Sequence, residues 1–186
     1  MKNRLVICVA LACAALTPAS GAQWNVDHAK SRLGFSVLWS GQTFEATFKT
    51  WKADIQFDPA DLSHSHANVT IDLNSESSAA PDNDDGLKGA EGFAVTQFPT
   101  ARFETTNFTA KGGNNYLATG RLTLHGVSKT ITLPFALVFS GDSAHMTGKT
   151  VVLRTDFALG KGEWASASTI AHEVAITVDL TATKSH

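Results

Sequence analysis

The chain reads as an all-β domain, an antiparallel barrel or sandwich with one short helical excursion. Three observations predict it. Apolar side chains recur with a period near two in segment after segment, turn signals rich in Gly, Asn and Asp separate those segments at near-regular spacing, and no long stretch carries helical periodicity. At 186 residues, 43% hydrophobic and 17% charged, the chain is long enough to bury a full core in one domain. Its formal net charge of −2, without a basic block, gives nucleic-acid phosphates nothing to bind tightly.

The elements follow in order. Leu33, Phe35, Val37 and Trp39 share one parity, Ser40-Gly41 signals a turn, and Phe44, Ala46 and Phe48 resume the alternation. Ile55 and Phe57 run into the turn initiator Asp58-Pro59, and Val69, Ile71 and Leu73 alternate beyond it. Residues 75–92 break the pattern. Asp82, Asp84 and Asp85 precede Leu87-Lys88, an acidic start that favours a helix N-terminus, so a short helix is expected near residues 84–91, weakened by Gly86 and Gly89. Leu122 and Leu124 lead through His125-Gly126-Val127-Ser128 into Ile131, Leu133, Phe135, Leu137 and Phe139, the clearest hairpin in the chain. Val151 to Leu153 and the closing run Val174, Ile176, Val178 and Leu180 bring the set to about eight or nine strands.

Residues 1–22 are expected to be a cleavable secretory signal, leaving residues 23–186 as the single mature domain. Lys2 and Arg4 form a positive start, Leu5 to Leu16 is apolar, and Ser20-Gly21-Ala22 presents small residues at the cleavage point. The apolar run falls short of the ~20 residues that span a bilayer. Both cysteines, Cys8 and Cys13, lie in this segment, so the exported chain would carry no disulfide and no Cys-ligated metal. Cys13 follows Ala10-Leu11-Ala12, a poor match to a lipoprotein signal.

Candidate chemistry is sparse. Gly141-Asp142-Ser143-Ala144-His145 lacks the final glycine and the strand-to-helix turn of a nucleophile elbow, and reads as a surface turn. His64 and His66 at i and i+2 would share a strand face, yet two imidazoles do not make a metal site. Asp82-Asn83-Asp84-Asp85-Gly86 lacks the regular ligand positions and closing Glu of a calcium loop. The 11 Phe and 4 Trp stand out beside a single Tyr. They read either as an ordinary core or as the wall of an apolar lumen, because a barrel of roughly eight strands encloses space that side chains fill or share with one small ligand. Ten buried methylenes at ~0.8 kcal/mol each supply ~8 kcal/mol toward such a ligand, before the cost of association.

Four segments carry a family resemblance. They are Trp24-Asn25-Val26-Asp27-His28 with Phe35-Ser36-Val37, Gly92-Phe93 with Phe98-Pro99-Thr100-Ala101-Arg102-Phe103, the hairpin Gly120 to Lys129, and Arg154-Thr155-Asp156-Phe157 with Gly160 to Trp164. In order and spacing, from about Trp24 to Ala182, they resemble the YceI-like family of exported, lipocalin-like proteins. The resemblance implies an extended antiparallel eight-stranded barrel in the periplasm whose apolar pore binds polyisoprenoid lipids, either prenylated quinones or prenyl diphosphates. The implied tail path runs along Phe35, Val37, Trp39, Phe44, Phe48, Phe103, Leu124, Leu133, Phe135 and Phe157, with Phe93 and Trp164 near the mouth and Lys88 or Arg102 facing the head group. The chain departs from the family pattern where Asn83-Asp84-Asp85-Gly86 replaces an Arg-Asp pair followed by a His, and where Trp39 replaces a common His. Loss of that cation favours a neutral prenylated quinone. The leading expectation is a non-catalytic carrier without a cofactor. Its alternatives are an accessory protein that contacts a membrane or a membrane cytochrome, and an enzyme acting on a lipid in the same pocket.

Overall fold

A computed structural model describes residues 21–185; residues 1–20 of the expected signal segment, with both cysteines, lie outside them. The strands are β1 (Gln23–Val26), β2 (Arg32–Trp39), β3 (Gln42–Phe48), β4 (Trp51–Gln56), β5 (His66–Asp72), β6 (Glu76–Ser78), β7 (Thr100–Gly112), β8 (Asn115–Leu124), β9 (Val127–Ser140), β10 (Ser143–Leu153) and β11 (Ile170–Lys184). The helix α1 spans Pro81–Lys88. Every strand pairing is antiparallel, and the sheet closes on itself because β11 pairs with β10 on one flank and with β2 and β1 on the other.

Eleven strands make eight staves. β1 and β2 lie end to end along β11, with Trp24 opposite Lys184 and Phe35 opposite Ile176. β3 follows β2 and β4 follows β1, while β6 and β5 flank β3 and β4 in turn. Closure of this kind leaves no long free edge. At ~3.3 Å per residue, the 15 residues of β11 run roughly 50 Å, which makes the barrel tall.

The alternation read from the sequence is the inward parity of β2, β3, β5, β8, β9 and β11. Two long strands depart from it, β7 and all of β10 except its Val151 to Leu153 end, for identifiable reasons. β7 carries Ala101, Phe103 and Thr105 inward, then a register shift between Thr105 and Asn107 moves the inward set to Phe108. In β10 the matching parity is Ala144, Met146, Gly148, Thr150 and Val152, where the small Ala144 and Gly148 and the polar Thr150 interrupt the hydrophobic alternation. The helix begins three residues earlier than residues 84–91, because Pro81 sets its first turn, and it ends where the Gly89 N–H caps the Asp85 and Gly86 carbonyls. Lys88 stands in its last turn, as the helix dipole favours.

The interior holds two hydrophobic clusters. One gathers Phe35, Phe44, Trp51, Leu73, Leu87 and Phe93 beneath α1; the other gathers Trp24, Phe57, Phe108, Tyr116, Phe135 and Leu137 at the opposite end. Phe57 is the hub of the second, with ring centroids 5.1 Å from Phe108, 5.5 Å from Tyr116 and 6.2 Å from Phe135. Phe57→Ala is therefore expected to lower unfolding free energy by about 3–4 kcal/mol in urea denaturation. Phe103→Ala should lower it by less than half as much, because the Phe103 ring is only half-buried and borders empty space.

Candidate functional site: an apolar hollow along the barrel

A cavity of about 270 Å³ runs between the two clusters. A single water needs ~10–15 Å³ on the same measure, so the space fits a chain of many atoms. Its wall spans the height of the barrel, from Trp24, Phe57 and Phe139 at one end to Leu87, Phe93 and Trp164 at the other. Between them Val69, Phe103, Ile176 and Val178 point inward yet stay incompletely buried, since they border the hollow and not other side chains. The wall is hydrocarbon almost throughout. Among the described residues its hydroxyls are those of Thr105, which accepts the Ala67 N–H at 2.7 Å, and Thr150, which donates to the Thr132 carbonyl at 2.8 Å. Both are engaged with backbone.

Two excursions cover the α1 end, residues 79–99 and 154–169. Leu87, Gly92 and Phe93 of the first and Leu159, Gly160 and Trp164 of the second all line the hollow. They are clasped together: the Gly160 N–H donates to the Glu91 carbonyl at 3.0 Å, and the Trp164 ring lies against Gly86. Arg154 organises the second excursion. Its guanidinium is buried and donates to four carbonyls, Ala171 at 3.0 Å, Leu159 at 3.0 Å, Trp164 at 2.6 Å and Ile170 at 2.7 Å. Burial holds the guanidinium below the usual arginine range, but it stays a cation because the carbonyl oxygens supply the negative ends of four dipoles. Gly160 completes the fit. Its φ of +79° suits glycine, and a Cβ there would run into the Arg154 guanidinium, so Gly160→Ala is expected to cost about 2 kcal/mol, seen as a lowered Tm.

Of the residues placed on the tail path, Phe35, Val37, Phe48, Phe103, Leu124, Leu133, Phe135 and Phe157 stand in the wall, together with Phe93 and Trp164 at the covered end. Two do not. Phe44 is buried behind the lining, 6.2 Å from Phe35, and Trp39 packs between Phe44 at 5.3 Å and Trp164 at 5.1 Å, so both support the wall without facing the hollow. Neither cation placed at the head group lines the hollow. Arg102 follows the inward Ala101 and precedes the inward Phe103, which turns it to the outer surface, where its Nη2 lies 3.8 Å from Glu104. Lys88 is outside the lining, and its charge acts on Glu76 of β6 and on Asp84 of α1 itself. Among the described residues the cation that lines the hollow is Arg154, which position alone did not flag; its sequence signal is membership of the Arg154-Thr155-Asp156-Phe157 segment.

The other polar groupings stay apart from the hollow. His64 sits in a short 3₁₀ turn with its Nδ1 2.7 Å from Asp61, whereas His66 opens β5 at 3.6 Å from Asp54, so the two imidazoles do not share a strand face. His145 pairs with Asp179 at 2.8 Å on the outer surface, and Ser143 opens β10 after an ordinary hairpin turn. No group of three or more His, Cys, Asp or Glu gathers among the described residues.

A closed antiparallel wall of eight staves around an apolar hollow is the build of a lipocalin-like barrel. The model of the YceI-like domain matches residues 24–182, and the chain belongs to the YceI-like family. A UPF0312 protein of Vibrio campbellii is 29% identical over 145 residues, 75% of this chain and 74% of that protein. Protein YceI of Salmonella heidelberg is 37% identical over 110 residues, 59% of this chain and 54% of its own length. Among solved structures, BcnA of Burkholderia cenocepacia aligns with a TM-score of 0.83 at 33% identity, covering 86% of this chain and all of that one. A polyisoprenoid binding domain from Saccharophagus degradans, implicated in plant cell wall breakdown, aligns with a TM-score of 0.64 at 16% identity over 87% of this chain and 98% of that one, a likeness of fold.

Proposed function

We propose that this protein is a non-catalytic carrier, exported to the periplasm, that holds one long-chain polyisoprenoid lipid in its barrel. The observation that carries this reading is the hollow itself, a hydrocarbon-walled space that joins both core clusters and ends beneath two clasped excursions. Binding then rests on burial, at ~0.8 kcal/mol per methylene removed from water. Among the described residues the wall offers no carboxylate, imidazole, lysine or thiol to act as acid, base or nucleophile, which favours holding over turnover. The Saccharophagus degradans domain, with the same fold, supports the lipid class.

The head group is a neutral one, a prenylated quinone in preference to a prenyl diphosphate. Arg102 faces outward, Lys88 lies outside the lining, and the Arg154 guanidinium is engaged with four carbonyls, so among the described residues that line the hollow no cation is left open to a diphosphate. Native mass spectrometry of protein purified from its own cell envelope, followed by organic extraction, tests this. The expected result is a stoichiometric prenylated quinone; a diphosphate overturns the head-group assignment, and a mass that stays bare after incubation with both lipids overturns the carrier. Cell fractionation tests the location, with the mature chain expected to begin at Gln23 in the periplasmic fraction.

A further inference from the structure

The most buried titratable group among the described residues is Glu76, 2% exposed, on the three-residue strand β6. It pairs with Phe48, whose ring stands in the wall of the hollow. Neither of its carboxylate oxygens meets a donor among the described residues. A second buried carboxylate faces it from α1. Asp84 accepts the Ser78 N–H at 3.0 and 3.1 Å and a short hydrogen bond from the Ser78 hydroxyl, which ties the helix to the end of β6. The same helix carries Leu87 into the lining and sets Gly86 against Trp164.

Two adjacent carboxylates in a dry site are stable only when one is protonated and donates to the other. We infer that Glu76 and Asp84 form a proton-operated latch, which holds α1 over the end of the barrel while they share a proton and frees it when the proton is lost. The proton resides on Glu76. Burial, reinforced by the Asp84 charge, pushes that carboxyl up to about 7. Asp84, although burial opposes it, is held below the usual carboxylate range by the Ser78 hydroxyl and amide. The other charges acting on Glu76 are Lys88 of α1 and Lys49 of the bend after β3; both favour ionisation, and neither is close enough to form an ion pair. An eight-residue helix has little stability of its own, so α1 depends on these contacts.

The sign follows from linkage. In the open state Glu76 meets water and titrates near its ordinary value of 4.5, whereas in the closed state it titrates near 7. The closed state binds more protons, so closure is firmest below pH 4.5, weakens as pH rises through the interval from 4.5 to 7, and levels off above it. The opening equilibrium is expected to grow about tenfold between pH 6 and pH 8.

Hydrogen exchange of the mature chain, without added lipid, tests the latch separately from the isoprenoid reading. The reporters are the Gly89, Phe93 and Val95 amides, which donate to Asp85 and Gly86, to Leu87 and to Lys88. After correction for intrinsic exchange, their protection should fall about tenfold from pH 6 to pH 8, while amides of β8 and β9 hold constant. Glu76→Gln, which keeps a donor toward Asp84 and cannot ionise, should abolish that fall. In Asp84→Asn the repelling charge is gone, so the fall should move toward lower pH, which provides a second test where Glu76→Gln does not fold. Protection that is flat in the unmodified chain, or a variant that retains the unmodified profile, overturns the latch.

Discussion

Val69→Trp is expected to lower lipid occupancy about fiftyfold while shifting Tm by no more than a few degrees. Val69 lies on β5 directly opposite Phe103 of β7, and both side chains face the hollow. It packs against the cluster beneath α1, whereas Ala67, two residues away on the same face, packs against the other, so the position marks the junction of the two. An indole there occupies space the ligand needs. Denying the tail even three methylene sites at ~0.8 kcal/mol each removes ~2.4 kcal/mol of binding, which is the stated factor. Overfilling a well-packed core costs ~1–3 kcal/mol, but this side chain would enter a cavity of about 270 Å³. Lipid co-purification, quantified against the unmodified protein, checks it. Undiminished occupancy would place the ligand elsewhere.

Arg154→Met is expected to destabilise the fold by about 3 kcal/mol and to unravel residues 158–169. The methionine keeps the apolar stem but leaves the carbonyls of Ala171, Leu159, Trp164 and Ile170 without their donor. Trp164 and Gly160 would then lose their place at the end of the hollow. Arg154→Lys should not rescue it, because a single ammonium cannot reproduce the planar fork that reaches four carbonyls. Urea unfolding measures the stability, and limited proteolysis between residues 158 and 169 reports the loop. A lysine variant that behaves like the unmodified chain would show that charge alone matters there.

Much of the wall was legible in the primary structure. Leu33, Phe35 and Val37, or Ile131, Leu133 and Phe135, announce both a strand and the face it buries, because period-two alternation is a property of the extended backbone itself. The His125-Gly126 turn was equally plain, since His125 and Gly126 both adopt the positive φ that such a tight hairpin requires. Where a strand departs from strict alternation the signal fades. A register shift after Thr105 hid the second half of β7, and small inward residues hid the first half of β10.

Periodicity alone left open whether the barrel is filled or hollow, and it gave no sign of the buried Arg154 and Glu76. Inward aromatics on regular strands describe a filled core and an empty pore equally well. Which of the two results depends on barrel radius, and radius is set by how many staves close and how they stagger. The same limit applies to single residues. Trp39 and Phe44 have inward parity, yet Trp164 and Phe35 stand between them and the cavity. Arg102 matched a family segment, but strand parity turns it to solvent. Arg154 and Glu76 are one arginine and one glutamate among ordinary neighbours until tertiary contacts bury them, one among four carbonyls and the other beside Asp84. The sequence alone determined where strands run and which faces are apolar, because those are local consequences of backbone geometry. Whether the apolar faces meet or stand apart, and which charges are sealed between them, only closure of the barrel decided.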